Sequence, residues 1–352
     1  MTARVLDEQG ESREVDKSHS ALGTAWDPRQ DAFLFRFSEK LEKVTKHTKR
    51  IFVSIGSKLF DPTGLVSPVT LNARRLMREC SDMELDWDDK VPKETIDKFE
   101  KWREDIVHLN EVSIPRCLIP KNAKERELHI FTDASAYAYG ACIYVRTVDE
   151  KGQISARLVI SKNRLSPKDQ LDKKIPRLEL LGCLLGVRLY KYVKKALSHV
   201  QWDNVQFWSD SEIALYWIRK DPGKLKLFVA NRVKEIQEHT SQAQWRHLPG
   251  ELNVAADTCS RGCDAATLAT MTEWWEGPDI LRMDKAKWED IKKLPLTQEQ
   301  LEQIKSEEKI NLVLRAAKIP YWEHHPCKTV LERYEDFDKC VWVMARLLAC
   351  VR

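Results

Sequence analysis

Four acidic residues stand where a carboxylate is hard to ignore. Asp133 ends the apolar run Leu-His-Ile-Phe-Thr, and Asp210 ends Val-Gln-Phe-Trp-Ser in the same way. Glu179 opens a helix-like stretch, Pro176-Arg-Leu-Glu-Leu-Leu-Gly-Cys-Leu-Leu-Gly186, and Asp257 lies one turn into a second one that begins near Asn253. Taken singly, each has an ordinary explanation as a turn, cap or first-turn acid. Four such residues in one segment suit a different task. Hydrolysis of a phosphodiester needs a nucleophilic water and a stabilised leaving oxygen, which two divalent ions held by carboxylates supply. Magnesium prefers such hard oxygen ligands, with manganese able to replace it.

The segment holding these residues is basic. Residues 128–262 carry 21 Lys and Arg against 14 Asp and Glu, whereas 1–127 carry 23 against 24 and 263–352 carry 14 against 16. A positive excess confined to the part with the carboxylates favours a phosphate-backbone partner. Lys162, Arg164, Lys168, Lys173 and Lys174 are the expected contributors, and binding through them should weaken with salt.

The elements that must position the carboxylates can be read from periodicity. Leu128–Ala134, Ala138–Arg146, Ile154–Ile160, Val205–Ser209 and Gln244–Leu248 alternate or run apolar, as strands do. Helices are expected from Pro176 to about Lys195, from Ser211 to Ile218, from Leu227 to His239 and from near Asn253. Ser209 with Glu212 fits a capping box, which places Asp210 at a strand-to-helix junction. The residues three, four and seven after Glu179 are Gly182, Cys183 and Gly186, a flat face that lets this helix lie close to a sheet. The order predicts an α/β fold, a mixed five-stranded sheet with the Asp133 strand central and helices packed on it.

Upstream, Leu22–Trp26 and Ala32–Phe37 read as a hairpin about Asp27–Asp31, followed by a short helix over Lys49–Phe60 and helical periodicity from Pro68 to Cys80 and from Lys93 to about Leu109. Lys121–Glu127 reads as a charged linker. From Asp264 onward, charged helical segments dominate. The expected organisation is therefore a mostly helical region at 1–120, a linker at 121–127, an α/β domain at 128–262 and a helical segment at 263–352.

Composition excludes several classes. With 43% hydrophobic and 32% charged residues, 12 Gly and 14 Pro, the chain is neither disordered nor collagen-like. No apolar run reaches the roughly 18 residues of a membrane span, and the first residues lack a signal-peptide core. Nine cysteines without a secretory signal read as reduced thiols. Neither Cys259 and Cys263 nor the set His324, His325, Cys327 and Cys340 has zinc-site spacing. A soluble intracellular protein with no membrane partner is expected.

Thr132-Asp-Ala-Ser135, Pro176-Arg-Leu-Glu-Leu180, Trp208-Ser-Asp-Ser211 and Asn253-Val-Ala-Ala-Asp257 with Ser260-Arg-Gly262 resemble the ribonuclease H domain of retrotransposons. More specifically, the chain is similar to the Pol polyprotein of Bel-Pao elements. Leu22–Pro28, Lys49-Arg50, Leu59-Phe-Asp-Pro-Thr-Gly-Leu-Val-Ser-Pro68 and Ile114-Pro-Arg116 resemble the part after the reverse transcriptase palm. Trp274-Trp-Glu-Gly-Pro278 resembles the part on the way to integrase.

The resemblance implies a ribonuclease H fold in which Asp133, Glu179, Asp210 and Asp257 hold two Mg2+ ions and the RNA strand of an RNA–DNA hybrid is cut endonucleolytically. It also implies other Pol segments, the palm and integrase, as partners, and a cytoplasmic or virus-like-particle location. His247 stands ten residues before Asp257, the separation of a mobile histidine and the final Asp in cellular ribonucleases H, which makes it a candidate proton shuttle.

Neither polymerase nor protease activity is expected. Leu85-Asp-Trp-Asp-Asp89 lies after the palm-following motif and reads as a surface turn, and no Asp-Thr-Gly or Asp-Ser-Gly is present. An integrase-type nuclease orders its ligands Asp, Asp, Glu, whereas Glu179 precedes Asp210. The rival from another class is a catalytically inert, nucleic-acid-binding remnant of a decayed or domesticated element.

Overall fold

The computed structural model describes residues 3–6, 12–15, 20–21, 24–35, 44, 46–59, 61–167, 175–288 and 295–309. Met1–Glu308 form one compact unit and Lys309–Arg352 a second, and all four candidate carboxylates belong to the first. Lys168, Lys173 and Lys174 lie outside the described residues, as do His324, His325, Cys327 and Cys340. Among the described residues no helix is long and apolar enough to cross a membrane.

The centre is a five-stranded sheet of β1 (Ala123–Ala134), β2 (Ala138–Asp149), β3 (Ile154–Leu165), β4 (Asn204–Ser209) and β5 (Trp245–His247), in the spatial order β5-β4-β1-β2-β3. Strands β1 to β3 are antiparallel neighbours, while β4 runs parallel to both β1 and β5. Parallel neighbours require a crossover. The helix Ile175–Ala196 lies in the connection to β4, and the helices Glu212–Arg219 and Leu227–Gln237 lie in the connection to β5. The Asp133 strand is central, as expected.

In β1 the alternation sorts side chains to two cores. Leu128 and Ile130 join the core under the Ile175–Ala196 helix, and Phe131 joins the core on the opposite face. The small residues after Glu179 set how closely that helix approaches. A Cβ added at Gly182 would sit 2.9 Å from the Asp133 carbonyl oxygen, and one at Gly186 would sit 2.7 Å from Thr132 Cγ2.

The second core joins segments that read as separate regions in the sequence. Helices α1 (Lys49–Lys58), α2 (Ser67–Asp82) and α3 (Lys93–Asp105) share it with Phe131, Tyr144 and Trp208 of the sheet and with Trp274 and Trp288 from beyond residue 262. Each fully buried aromatic contributes on the order of 1.5–3 kcal/mol, so this face is closed by chain from both sides of 128–262. The hairpin expectation holds: Thr24–Asp27 pairs with Ala32–Phe35. In keeping with the sequence, α4 (Ile175–Ala196), α5 (Glu212–Arg219), α6 (Leu227–Gln237) and α7 (Val254–Arg261) follow in order.

Three local expectations are corrected. Ala123–Glu127, expected in a linker, form the first half of β1. Glu127 is fully buried there, facing Arg146 at 2.7 Å and Lys285 at 2.8 Å, partners far away in sequence. The cap of α5 is Ser211, whose hydroxyl accepts from Ala214 N at 3.1 Å, while Ser209 Oγ accepts from Ser211 N. Asn253 makes no side-chain cap to α7. Its Nδ2 donates to the Thr132 carbonyl at 3.1 Å, fastening α7 to β1.

Candidate active site

Two features bring Asp133 and Asp210 together. Strands β1 and β4 run parallel with Thr132 opposite Ser209, and each aspartate is the next residue, so both carboxylates emerge at the same end of adjacent central strands. Glu179 arrives from the first turns of α4 above that end, and Asp257 from the first turn of α7 on the opposite face. All four sequence candidates thus lie toward the same end of the central strands, with Glu179 and Asp257 carried by helices on opposite faces.

Burial makes the cluster electrostatically tense. Asp133 is only 4% exposed, and its carboxyl is pushed up by desolvation and by the charge of Asp257, against the opposing effect of the Ser260 hydroxyl. Desolvation, reinforced by Asp133, moves Glu179 up to about 7. Asp210 is pushed up to about 8, first by burial and then by Asp133 and Glu179. These shifts have the direction expected when like charges share a poorly hydrated site.

Protein donors answer part of that charge. Ser260 Oγ donates to Asp133 Oδ2, Ser211 Oγ donates to Glu179 Oε2, and Arg261 Nε donates to Asp257 Oδ1. Asp210 Oδ1 is buried without any hydrogen-bond partner, an arrangement that calls for an explanation in a packed protein. Gly250 lies beside this carboxylate, where a Cβ would make an ordinary contact of 3.5 Å with Asp210 Oδ2.

These residues fit a divalent cation. The donors are all carboxylate oxygens, one of them orphaned, and burial together with their mutual repulsion raises Glu179 and Asp210. Among the described residues no group of three or more acidic, histidine or cysteine side chains is placed to hold a metal ion. Ser211, Ser260 and Arg261 instead occupy oxygens that a cation would need.

His247 ends β5, with its neighbour in register, Ser209, one residue before Asp210. Nε2 lies 3.1 Å from the Asp210 carbonyl oxygen and Nδ1 lies 3.7 Å from Glu212 Oε1. The ring therefore braces the Asp210 backbone, and proton transfer at the carboxylates would require it to turn. Sequence reasoning assigned no role to Ser211, Ser260, Arg261 or the Asn253 tie to β1. Ser260-Arg261 and Asn253 do lie within the motif that carries Asp257, which is the signal that was available.

The sheet order and its flanking helices define a ribonuclease H-like domain. Residues 48–211 match the family described as the Pao retrotransposon-like RNaseH-like domain. The matched stretch takes in α1–α3 as well as the sheet through β4. No curated protein matches the chain.

Similar solved structures include a foamy viral protease-reverse transcriptase in complex with double-stranded DNA, at 14% identity and TM-score 0.39, covering 68% of this chain and 39% of that one. The RNase H1 of the halophilic archaeon Halobacterium salinarum is 11% identical at TM-score 0.22, covering 38% and 93%. LC11-RNase H1 with an RNA/DNA hybrid is 17% identical at TM-score 0.21, covering 38% and 91%. This chain thus spans well under half the length of the foamy viral chain.

Proposed function

We propose that this domain hydrolyses the RNA strand of RNA–DNA hybrids as part of a retrotransposon Pol product, with Asp133, Glu179, Asp210 and Asp257 holding two magnesium ions. The observation that carries this reading is the unpaired, buried Asp210 Oδ1 among carboxylates at one end of the central strands. Bound magnesium supplies the Lewis acidity that makes water nucleophilic and stabilises charge on the leaving oxygen.

The chain's own residues do the positioning. Ser260 fixes the rotamer of Asp133 on the rigid central strand, and Ser211 does the same for Glu179. His247 and the start of α5 fix the backbone that presents Asp210. Asp257 is paired with the exposed Arg261, which can release it toward a cation or a phosphate. Water adds across the scissile P–O bond, leaving a phosphate on one fragment and a hydroxyl on the other. RNA is distinguished by its 2′-hydroxyl and backbone shape, so no strong sequence preference is expected.

One observation favours the inert alternative: three of the four carboxylates are already satisfied by protein donors. The two readings separate in a single assay. Purified chain incubated with an end-labelled hybrid and magnesium should shorten the RNA strand, with EDTA or Asp210→Asn abolishing the reaction. Hybrid binding without any metal-dependent cleavage would select the inert reading.

A further inference from the structure

The stretch Pro176-Arg-Leu-Glu-Leu180 delivers Glu179, but the carboxylate site makes no use of its arginine. With about 100° between successive residues of a helix, Arg177 and Glu179 project roughly 200° apart, so the guanidinium faces away from the carboxylates. Its partner lies far along the chain. Arg177 Nε donates to Glu307 Oε1 at 2.9 Å and Nη2 donates to Glu307 Oε2 at 3.0 Å. Glu307 is only 1% exposed, and a forked pair of this kind fixes the orientation of both side chains.

The segment that carries Glu307 is a strap across the helices. Its own helix, Gln298–Ser306, buries Ile304 in the core shared by α4, α5 and α6. Where that helix ends, the chain is stitched to the start of α6. Glu307 O accepts from Lys226 N at 2.8 Å, Glu308 forms an antiparallel bridge with Leu225, and Lys220 Nζ pairs with Glu308 Oε1. The Arg177 guanidinium also lies 4.7 Å from the centroid of the Phe228 ring, in the first turn of α6.

A second fork on the same side of α4 shows what the first one adds. Arg188 stands about three turns beyond Arg177, and its Nε and Nη2 each donate to Glu235 of α6 at 2.7 Å. That pair holds the middle of α4, whereas Arg177–Glu307 holds its first turn. The first turn needs it more. The opening N–H groups of a helix have no intrahelical partner, and helix ends fray before their middles. Glu179 follows directly on that turn, its side chain steadied by the Ser211 hydroxyl.

We infer that Glu307 is a positioning residue for Glu179: through Arg177, the strap holds the first turn of α4 where it presents that carboxylate to the metal site. Glu307 lies on the far side of α4 from the carboxylates and acts through Arg177. The inference rests on the hydrolase reading for the role of Glu179 as a metal ligand. It gives residues 295–308, well beyond the sheet, a part in the geometry of the site.

The test uses the full chain with Glu307→Gln, which keeps the side chain's size and removes its charge, and two measurements that need no turnover. Hydrogen exchange of a peptide covering 175–183 should quicken by about tenfold, with β1 and β4 exchanging at the parent rate. Calorimetric titration with Mn2+ should show the metal dissociation constant raised by about tenfold, the low end of the usual effect of an outer-shell partner. Arg177→Gln should reproduce both changes, and the double variant should be no worse than either single one, because losing one member already breaks the pair. If Glu307→Gln fails to fold, Arg177→Gln, at a side chain 23% exposed, carries the same two measurements. Glu302→Gln, exposed on the strap helix, should change neither quantity. Parent-like exchange or Mn2+ affinity in the folded variant, additive losses in the double variant, or a wild-type chain that binds no Mn2+ would overturn the inference. Strap-dependent Mn2+ binding alongside a wild-type chain that cuts no hybrid would uphold the positioning role and reject the hydrolase reading.

Discussion

Ser260 donates its hydroxyl proton to the buried carboxylate of Asp133, tying α7 to the central strand at the residue proposed to hold metal. The bond stabilises the ionised form of Asp133 against burial and the charge of Asp257. It also couples folding to function, because the donor sits on the helix that carries Asp257.

Ser260→Ala should therefore raise the Asp133 pKa further and move the acidic limb of the cleavage pH profile upward. The lost bond to a charged group should cost about 1.5–3 kcal/mol. Urea unfolding with and without magnesium checks the stability, and an unshifted acidic limb would leave Ser260 without a part in tuning Asp133.

The raised carboxylates predict a pH dependence of stability with a definite sign. Asp210 and Glu179 bind protons more tightly folded than unfolded, at about 8 and about 7 against ordinary values near 4. Their contribution is complete below the unfolded values and is lost as pH rises through the folded ones. Without metal, the melting temperature should fall as pH rises from about 4 to 8, by less in Asp210→Asn, and magnesium should restore it at the alkaline end. Identical pH profiles for wild type and Asp210→Asn in EDTA would contradict the buried-charge picture.

Much of the site was legible in the residues alone. Alternation in Leu128–Ala134 and the aromatic run before Asp210 located the two central strands, and Gly182 and Gly186 announced a close helix–sheet contact. What escaped had non-local causes. Glu127 sits in a charged stretch that reads as solvent linker until Arg146 and Lys285 are seen to pair with it. The packing of residues beyond Gly262 onto the sheet was hidden for the same reason. Trp288 stacks edge-on against Trp208 and Arg146 lies over Trp288, contacts that no window of local sequence contains.

A version of the chain ending at Gly262 should accordingly be much less stable than one ending beyond residue 308. It exposes Trp208, Phe131 and Tyr144 and removes the Lys285 partner of the buried Glu127. Loss of a cooperative thermal transition, or dye binding typical of exposed apolar surface, is the expected result. Equal melting temperatures would show that the flanking segment only decorates the domain.

His247→Ala should slow hybrid cleavage by about 10- to 100-fold, at or below the usual effect of one acid–base group. If the ring only braces Asp210 through its carbonyl, the loss should be the same across pH. If it also moves protons, the loss should vary with pH. An unchanged rate in the folded variant would leave the histidine structural and the four carboxylates untouched.

Metal-dependent hydrolysis at the carboxylate cluster is decided by comparing wild type with Asp210→Asn on an RNA–DNA hybrid, after circular dichroism shows both to be folded. The expected result is RNA-strand cleavage by wild type with magnesium, none with EDTA, and near-complete loss in the variant. A folded wild-type chain that binds the hybrid yet leaves its RNA intact at every magnesium or manganese concentration would contradict the proposed function.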